Sequence, residues 1–257
     1  MTRKSVMHPL GGRRFHFDCH QGMPCFTKCC ANLNLVLTPY DILRLKNRLH
    51  LASDQFLDRF TDDFVDGTSG LPLVRLRMGD DDMRRCPFVS PEGCKLYDDR
   101  PAACRLYPLG RAASKMYANC RVGEQYFLVK ESHCLGLKQD RQWTVQEWLS
   151  DQGMAQYNTM NDLFMDITTA QPLRRLKPFG DRHLKMFYMA CYDLDAFRYF
   201  IFNSTFRDRF DIGEDVLNRI QTDDVELMLF AFRWLKFSLF GEKAFDIKDH
   251  FSRANAI

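Results

Sequence analysis

Residues 19–30 have the sequence CHQGMPCFTKCC, which places four thiols within twelve residues. Nine of the ten cysteines lie between Cys19 and Cys134, and only Cys191 lies in the second half of the chain. A soft centre such as zinc or an iron–sulfur cluster takes about four thiolate ligands. A tight cysteine group on one loop, completed by thiols from distant loops, therefore predicts a metal-binding module. The candidate ligands are Cys19, Cys25, Cys29, Cys30, Cys86, Cys94, Cys104, Cys120 and Cys134.

The number of cysteines exceeds what one ion needs, and this leaves several arrangements open. Nine thiols suffice for two four-ligand sites, or for one 4Fe–4S cluster with spare or redox-active thiols. Adjacent cysteines do not easily face one centre, so one of Cys29 and Cys30 is expected to bind a second ion or to stay free. The alternative to metal binding is that these residues are small buried apolar side chains or form disulfides.

The composition is that expected of a soluble protein inside the cell. Apolar residues make up 46% and charged residues 27%, which is enough apolar material for a core. Residues 1–17 contain basic side chains but no apolar run typical of a secretory signal. No stretch reaches the roughly 18 apolar residues that a membrane span needs. We expect a cytoplasmic protein without membrane contact, where thiols stay reduced and serve as ligands or redox groups.

The expected fold is mainly α, with an irregular cysteine-rich metal-binding module and a few short strands; an α+β fold is the alternative. The cysteine distribution suggests a flexible N-terminal tail at 1–14, a cysteine-cluster domain at 15–138 and a helical domain at 139–257.

Local patterns predict the individual elements. In the first half, Thr38-Pro39-Tyr40-Asp41 opens a helix that runs to about Leu49, and a second helix begins at Ser53. Residues 71–78 alternate as a strand does, and residues 99–101 open a helix that presents Cys104. Residues 126–129 are a further strand candidate. In the second half, residues 144–147 form a capping box. Helices are predicted over 158–168, 181–203, 213–220 and 222–240, the last closed by Gly241.

Further motifs surround the cysteines. The adjacent pair Cys29-Cys30 is followed at 37–45 by the pattern L-T-x-x-D-x-x-R-L. Residues 86–88 are Cys-Pro-Phe, and residues 93–97 fit G-C-x-x-Y. Residues 100–108 fit R-P-x-x-C-R-x-Y-P.

Through these motifs the segment 17–110 resembles the CxxCxxCC cysteine-cluster family, whose YkgJ-like members are labelled zinc- or iron-chelating. The early group differs in spacing, because it is C-x5-C-x3-C-C here rather than C-x2-C-x2-C-C. The family includes flagellin lysine N-methylases, which are thought to use an iron–sulfur centre. The resemblance thus implies metal binding, and it implies a reaction only by likeness to those methylases.

Two metals fit an all-thiolate site. Structural zinc is usually held by compact C-x2-C pairs, and the sequence has none, so we favour a 4Fe–4S cluster over zinc. His20 and His133, each beside a cysteine, are candidates for a mixed site, although histidines in such places usually form hydrogen bonds only. Arg100 and Arg105 flank Cys104 and either donate to cluster sulfurs or form ion pairs, Asp99 with Arg105 or Asp41 with Arg44. Tyr97 and Tyr107 are expected to pack over the site.

Three functions are compatible with these features. The favoured one is a metal-binding protein without an assignable reaction, such as a chelator, carrier, redox sensor or interaction module that docks a protein partner. The alternative is an iron–sulfur-dependent lysine N-methyltransferase of the flagellin type, which would bind S-adenosylmethionine and a protein substrate. The third is a nucleic-acid-binding zinc ribbon, against which the formal net charge of only +3 argues.

Overall fold

A computed structural model describes residues 7–10, 12, 14–116, 121–170 and 180–248. This part of the chain contains ten helices, several small sheets and a cysteine-rich region, which confirms the mainly α fold with short strands.

The helices differ in length from four to seventeen residues. They are α1 (Pro39–Arg48), α2 (Ser53–Phe60), α3 (Ala102–Leu106), α4 (Val145–Asp151), α5 (Met154–Thr168), α6 (Asp181–Tyr192), α7 (Leu194–Asn203), α8 (Phe206–Arg209), α9 (Glu214–Thr222) and α10 (Asp224–Phe240).

Most strands are short. They are β1 (Met7–Pro9), β2 (Arg14–His16), β3 (Val36–Leu37), β4 (Thr61–Val65), β5 (Pro72–Leu76), β6 (Val89–Ser90), β7 (Gly93–Cys94), β8 (Leu109–Met116), β9 (Arg121–Val129), β10 (Gln142–Thr144), β11 (Phe210–Asp211) and β12 (Asp246–Ile247).

The chain divides into two compact units, each made of two segments. The first, here called the cysteine unit, consists of Met1–Arg48 and Arg75–Asp162. The second, the helical unit, consists of Leu49–Val74 and Leu163–Ile257. The sequence predicts a boundary between two domains at residues 138 and 139. The two units are groups of residues in contact rather than independently folding domains, so this boundary stays a prediction.

The cysteine unit contains a three-stranded antiparallel sheet in the order β1-β9-β8. In β8 and β9 the register runs from Leu109 opposite Leu128 to Met116 opposite Arg121. The strand expected at 126–129 is the last part of β9, whereas β8 was not predicted, because its sequence LGRAASKM lacks the β-branched residues typical of strands. Met7–Pro9 falls in the segment expected to be a flexible tail, but it pairs with β9 as an edge strand.

An aromatic cluster closes the core of the cysteine unit. β2 and β10 pair so that Phe15 lies opposite Trp143. The Trp148 ring of α4 meets the rings of Phe15, Phe17 and Trp143 edge to face, with centroids 5.1–5.9 Å apart. The Trp148 indole N–H donates to the Leu106 carbonyl at 2.9 Å. The cluster therefore holds the end of α3 in place.

The helical unit departs from the prediction at Asp193. A single helix was expected over 181–203, but the chain breaks at Asp193, which separates α6 from α7. The Asp193 carboxylate accepts a hydrogen bond from the Ala196 N–H at 3.1 Å, so it caps α7. An aspartate that competes for backbone donors is sufficient reason for the break.

Aromatic side chains fill the core of the helical unit. Phe206, Phe210, Phe230, Trp234 and Phe245 contact one another with ring centroids 4.8–6.2 Å apart. Most of these contacts are edge to face, the arrangement that aromatic quadrupoles favour.

The last helix of this unit ends as the sequence predicts. Gly241 closes α10 in the left-handed conformation, with φ of 69°. No helix within the described ranges is both long and apolar enough to cross a membrane.

Candidate metal centre

The first cysteine loop is a series of tight turns. The N–H groups of Met23, Phe26 and Lys28 donate to carbonyls three residues earlier, at 2.9–3.1 Å. The turns end in a 3-10 helix at Lys28–Cys30, after Thr27 in the left-handed region with φ of 64°. These turns fold residues 19–30 back on themselves, so the four cysteines lie on one compact loop. The Cys29 and Cys30 sulfur atoms are 4.0 Å apart.

A second loop packs against the first and carries Cys134. The Leu135 N–H donates to the Cys25 sulfur at 3.3 Å, and the Asp18 N–H donates to the Gly136 carbonyl at 3.1 Å. A Cβ atom at Gly136 would lie only 2.6 Å from the Asp18 carbonyl oxygen and 2.7 Å from the Phe17 ring. Only glycine permits this close approach of the two loops.

Backbone hydrogen bonds also join the first loop to the segment that carries Cys86 and Cys94. The Cys86 N–H donates to the Cys30 carbonyl at 2.8 Å. The hairpin of β6 and β7 then places Cys94 opposite Val89, whose N–H donates to the Cys86 carbonyl at 3.1 Å. Gly93 forms the tight end of this hairpin with φ of 121°.

A buried carboxylate fixes the helix that carries Cys104. Asp41 is 1% exposed, and its two oxygens accept from the Thr38 N–H at 2.9 Å and from the Ala102 N–H at 2.8 Å. The first of these bonds belongs to the start of α1, and the second to the start of α3. Asp41, in the L-T-x-x-D-x-x-R-L motif, thus positions Cys104 by joining two helix N-termini.

The arginines of the motifs support the same region but not through the expected pairs. Arg44 forms an ion pair with Asp99, and its Nε lies 2.8 Å from an Asp99 carboxylate oxygen. Among these described residues, the expected ion pairs of Asp41 with Arg44 and of Asp99 with Arg105 do not form. Arg105 donates instead to the carbonyls of Gln152, at 2.6 Å, and Asp98. Arg100 donates to the Tyr97 carbonyl and to the Gln152 side chain. Burial raises the pKa of Cys94, and the positive charge of Arg100 offsets part of this rise.

Both burial and neighbouring thiols affect the pKa values of the cysteines. Burial raises the pKa of Cys19 to about 11, and the thiolates of Cys29, Cys25 and Cys134 add to this effect. Burial likewise raises the pKa of Cys104 to about 12, with contributions from its thiol neighbours, among them Cys86.

The adjacent pair shows the same coupling. The hydrogen bond with Cys29 raises the pKa of Cys30 far above its usual value. Burial and the nearby thiolates of Cys86 and Cys104 act in the same direction. A thiol that gives up its proton here therefore needs a positive partner, as a metal ion would be.

Two tyrosines were expected to pack over the site, and one does. The Tyr107 hydroxyl is buried beside the Cys134 thiol without a hydrogen bond of normal geometry. Burial, followed by the interaction with Cys134, raises the pKa of Tyr107, so the hydroxyl keeps its proton as a donor. The expectation for Tyr97 is wrong, because this residue is 58% exposed and stacks on Arg100 instead.

The histidine candidates have other partners. His20 Nδ1 accepts from the Gly22 N–H at 3.2 Å, and His133 Nε2 lies 3.4 Å from a Glu131 carboxylate oxygen. Sequence reasoning missed Glu131, which raises the pKa of Tyr107, and Gln152, which binds two arginines. The sequence signal for Glu131 was its position three residues before Cys134.

Eight of the nine predicted ligands lie in the cysteine unit as free thiols, and no disulfide occurs among the described cysteines. The ninth, Cys120, lies outside the described residues. Cys191 is fully buried in the helical unit, as expected of a small apolar side chain. Within the described ranges, no three Cys, His, Asp or Glu side chains are already arranged as ligands of one ion.

The donor set nevertheless fits a soft metal. Thiolates are the preferred ligands of zinc and of iron–sulfur clusters, and oxygen-liganded metals such as calcium would not select them. The unpartnered Tyr107 hydroxyl beside Cys134 is a hydrogen-bond donor of the kind that tunes sulfur ligands.

Comparison with known proteins gives one match. Residues 18–135 match the family CxxCxxCC, described as "Putative zinc- or iron-chelating domain". No curated protein and no solved structure matches the chain. The matched range begins just before Cys19 and ends just after Cys134, so it contains every cysteine of the predicted ligand set. Residues 18–135, a little less than half of the chain, are therefore similar to the CxxCxxCC family, as their motifs indicated.

Proposed function

We propose that the cysteine unit binds an iron–sulfur cluster of the 4Fe–4S type, with zinc as the alternative metal. The observation that carries the proposal is the presence of eight unbridged thiols, from separate parts of the chain, in one compact unit whose cysteine loops are joined by hydrogen bonds. Seven of these eight thiols are partly or wholly removed from water, so their thiolate forms are unfavourable unless a metal compensates the charge.

The spacing of the ligands favours the cluster over zinc. Compact zinc sites take two ligands from each of two short turns. Here the thiols come from the first loop, the β6–β7 region, α3 and the loop of Cys134, which suits a larger inorganic core. In this role the chain's own residues supply the thiolates, exclude water through Tyr107 and the aromatic cluster, and balance charge through Arg100.

The test is anaerobic purification followed by iron, acid-labile sulfide and zinc analysis with an absorption spectrum. Brown protein with equal iron and sulfide supports the cluster, and colourless protein with stoichiometric zinc supports the alternative. Cys104→Ser should lower the metal content, while Cys191→Ala, in the helical unit, should leave it unchanged. Absence of both metals from protein with a folded circular dichroism spectrum contradicts the proposal.

The protein is further proposed to act in the cytoplasm through a protein partner, without a reaction of its own. The lysine N-methyltransferase alternative rests on the family resemblance alone. Titration of the anaerobically purified protein with S-adenosylmethionine, followed by thermal shift, tests it: no binding removes this alternative.

A further inference from the structure

We propose that a cleft in the helical unit binds a primary ammonium group on a short hydrocarbon chain. The cleft has a volume of about 250 Å³ and is lined by the turn between β4 and β5 and by the C-terminal end of α5. The lining residues all belong to the helical unit. The inference goes beyond the proposed metal binding and does not depend on it.

The turn between β4 and β5 supplies a fixed carboxylate. The Gly70 N–H donates to the Asp66 carbonyl at 2.8 Å, which closes the turn. One Asp66 carboxylate oxygen accepts from the Ser69 hydroxyl and from the Ser69 N–H, each at 2.7 Å. These two bonds lower the pKa of Asp66, so the side chain is charged at neutral pH. No lysine, arginine or histidine in the described part of the chain forms an ion pair with Asp66.

The C-terminal end of α5 also favours a cation. Thr168 is the last residue of this helix, and it lines the cleft together with Thr169 and Ala170. The C-terminus of a helix carries a partial negative charge of about half an electron. The last turn of α5 has no basic residue of its own. Lys236 of α10 lies 3.2 Å from a carboxylate oxygen of Asp166, so its charge is balanced by that aspartate. A carboxylate and a helix end, two separate sources of negative charge, therefore line one cleft.

The apolar part of the lining suits a hydrocarbon chain. Leu73 and Phe164 line the cleft and are only half-buried, so both have apolar surface that a ligand can cover. The Phe164 ring contacts the rings of Phe187, Tyr192 and Phe232, with centroids 6.2–6.4 Å apart. These contacts hold the ring in place. An aromatic face also attracts a cation that lies within about 6 Å of the ring centre.

The lining selects the ligand by charge and by length. An ammonium group has three donors and no acceptor, which suits the Asp66 carboxylate and the hydroxyl oxygens of Thr68 and Thr168. An anion would be repelled by Asp66 and by the helix end. Clefts that take drug-sized ligands have volumes of about 300–1,000 Å³, so this smaller one suits a chain of a few carbons. Free aliphatic amines and lysine side chains both carry such a group.

The test uses the full chain labelled with ¹⁵N and titrated with three ligands of equal chain length, namely pentylammonium, 1-pentanol and pentanoate. We expect saturable shifts of the Ser69, Thr168 and Thr169 amide signals with pentylammonium alone. Asp66→Asn should weaken this binding about tenfold, because the amide lacks the charge that strengthens a hydrogen bond to ammonium. Asp54→Asn, at an exposed aspartate of α2 in the same unit, is the matched control and should bind as the wild type does.

A second ligand distinguishes the two sources of the ammonium group. Nα-acetyl-lysine methylamide carries a lysine side chain between blocked backbone groups. Binding tighter than that of pentylammonium identifies a peptide side chain as the source, and weaker binding identifies a free amine.

Three results would overturn the proposal. They are absence of these amide shifts at millimolar pentylammonium, equal binding of pentanol or pentanoate, and unchanged affinity in Asp66→Asn. Circular dichroism confirms that each variant is folded. The titration is run on protein with and without metal, and equal amine binding in both is expected. Failure to bind metal would then contradict the proposed function alone, and failure to bind the amine would contradict this inference alone.

Discussion

The cysteine unit and the helical unit reach a folded state by different physical routes. The helical unit buries large aromatic and aliphatic side chains, with Phe187, Phe197 and Leu227 completely inaccessible to water. The cysteine unit contains short strands, irregular loops and half-buried thiols, and it joins its parts through polar groups such as Asp41. Burial of apolar surface is sufficient for the first. The cysteine unit has a smaller aromatic core around Trp148, and it also contains the predicted metal ligands.

This difference indicates where the stability of each unit comes from. A core of packed rings stabilises the helices without any added component. Desolvated thiols lose their protons only with difficulty until a metal compensates the thiolate charge. We therefore expect the two units to respond differently to the same perturbation, and the following experiments test this from the largest effect to the smallest.

Metal removal should have the largest effect. Binding of structural zinc contributes on the order of 10 kcal/mol to folding, so chelation should open the cysteine unit. Hydrogen exchange should show lost protection at residues 23–30 and 86–104, with α10 keeping its protection. An equal loss of protection in α10 would contradict the expected difference between the two units. Unchanged protection in both units would show that the cysteine unit does not need metal.

A cavity in the helical unit should produce the opposite pattern. Phe197 is fully buried against Phe200 and Phe230, so Phe197→Ala should lower the free energy of unfolding by about 3–5 kcal/mol. Denaturant unfolding measures the loss, and metal per folded chain should stay unchanged. Tyr199→Ala, on the same helix but 69% exposed, is the control and should change stability by less than about 0.5 kcal/mol.

The buried carboxylate of the cysteine unit gives a sharper test. Asp41→Asn leaves one oxygen to accept where two accept now, so an N–H of Thr38 or Ala102 loses its partner. The expected cost is about 1–3 kcal/mol, with weaker metal retention because α3 carries Cys104. Asp181→Asn, at an exposed helix start, is the control. Stability loss with unchanged metal retention would show that Asp41 does not position Cys104.

The capping box of α4 should have a smaller effect. Thr144 Oγ1 accepts from the Glu147 N–H at 3.1 Å, and the Glu147 carboxylate accepts from the Thr144 N–H at 2.7 Å. Thr144→Ala should cost about 1 kcal/mol, measured as a lower Tm, and Thr144→Ser should behave as the wild type. A wild-type Tm for the alanine variant would contradict a role for this cap.

The smallest effect should depend on pH. The hydrogen bonds from Thr144, first from its N–H and then from its hydroxyl, lower the pKa of Glu147. A lowered pKa means that the folded state favours the carboxylate form of Glu147. The stabilisation that this carboxylate gives the folded state is present above its ordinary pKa of 4.5 and is lost as the pH falls below that value. The stability difference between wild type and Glu147→Gln should shrink accordingly in acid. A difference that does not change with pH would show that the charge has no part in it.

Much of the fold was predictable because its signals are local. The capping box at 144–147, the cap at Gly241 and the start of α1 depend on side chains within one turn of the helix ends. The break at Asp193 was missed because an aspartate inside an apolar periodic pattern gives no sign that it competes for backbone donors. Strand β8 was missed because its pairing with β9, rather than its composition, makes it a strand.

The candidate site was predictable in its residue types but not in its grouping. Cysteine spacing indicated the ligands, because soft metals need several thiolates. The contacts between the cysteine loops depend on backbone hydrogen bonds between residues more than fifty positions apart, such as Cys30 and Cys86, and a local pattern gives no sign of them. The role of Asp41 was hidden for the same reason, since Ala102 lies 61 residues away.

The short helix α3 has a consequence for the order in which a metal is captured. Its first N–H is held by the Asp41 carboxylate and its last carbonyl by the Trp148 indole, and its five residues span roughly 7 Å. A thiol on a rod anchored at both ends is preorganised, so little conformational entropy is lost when it takes up an ion. We expect the metal ion to bind Cys104 first and the thiols of the loops afterwards.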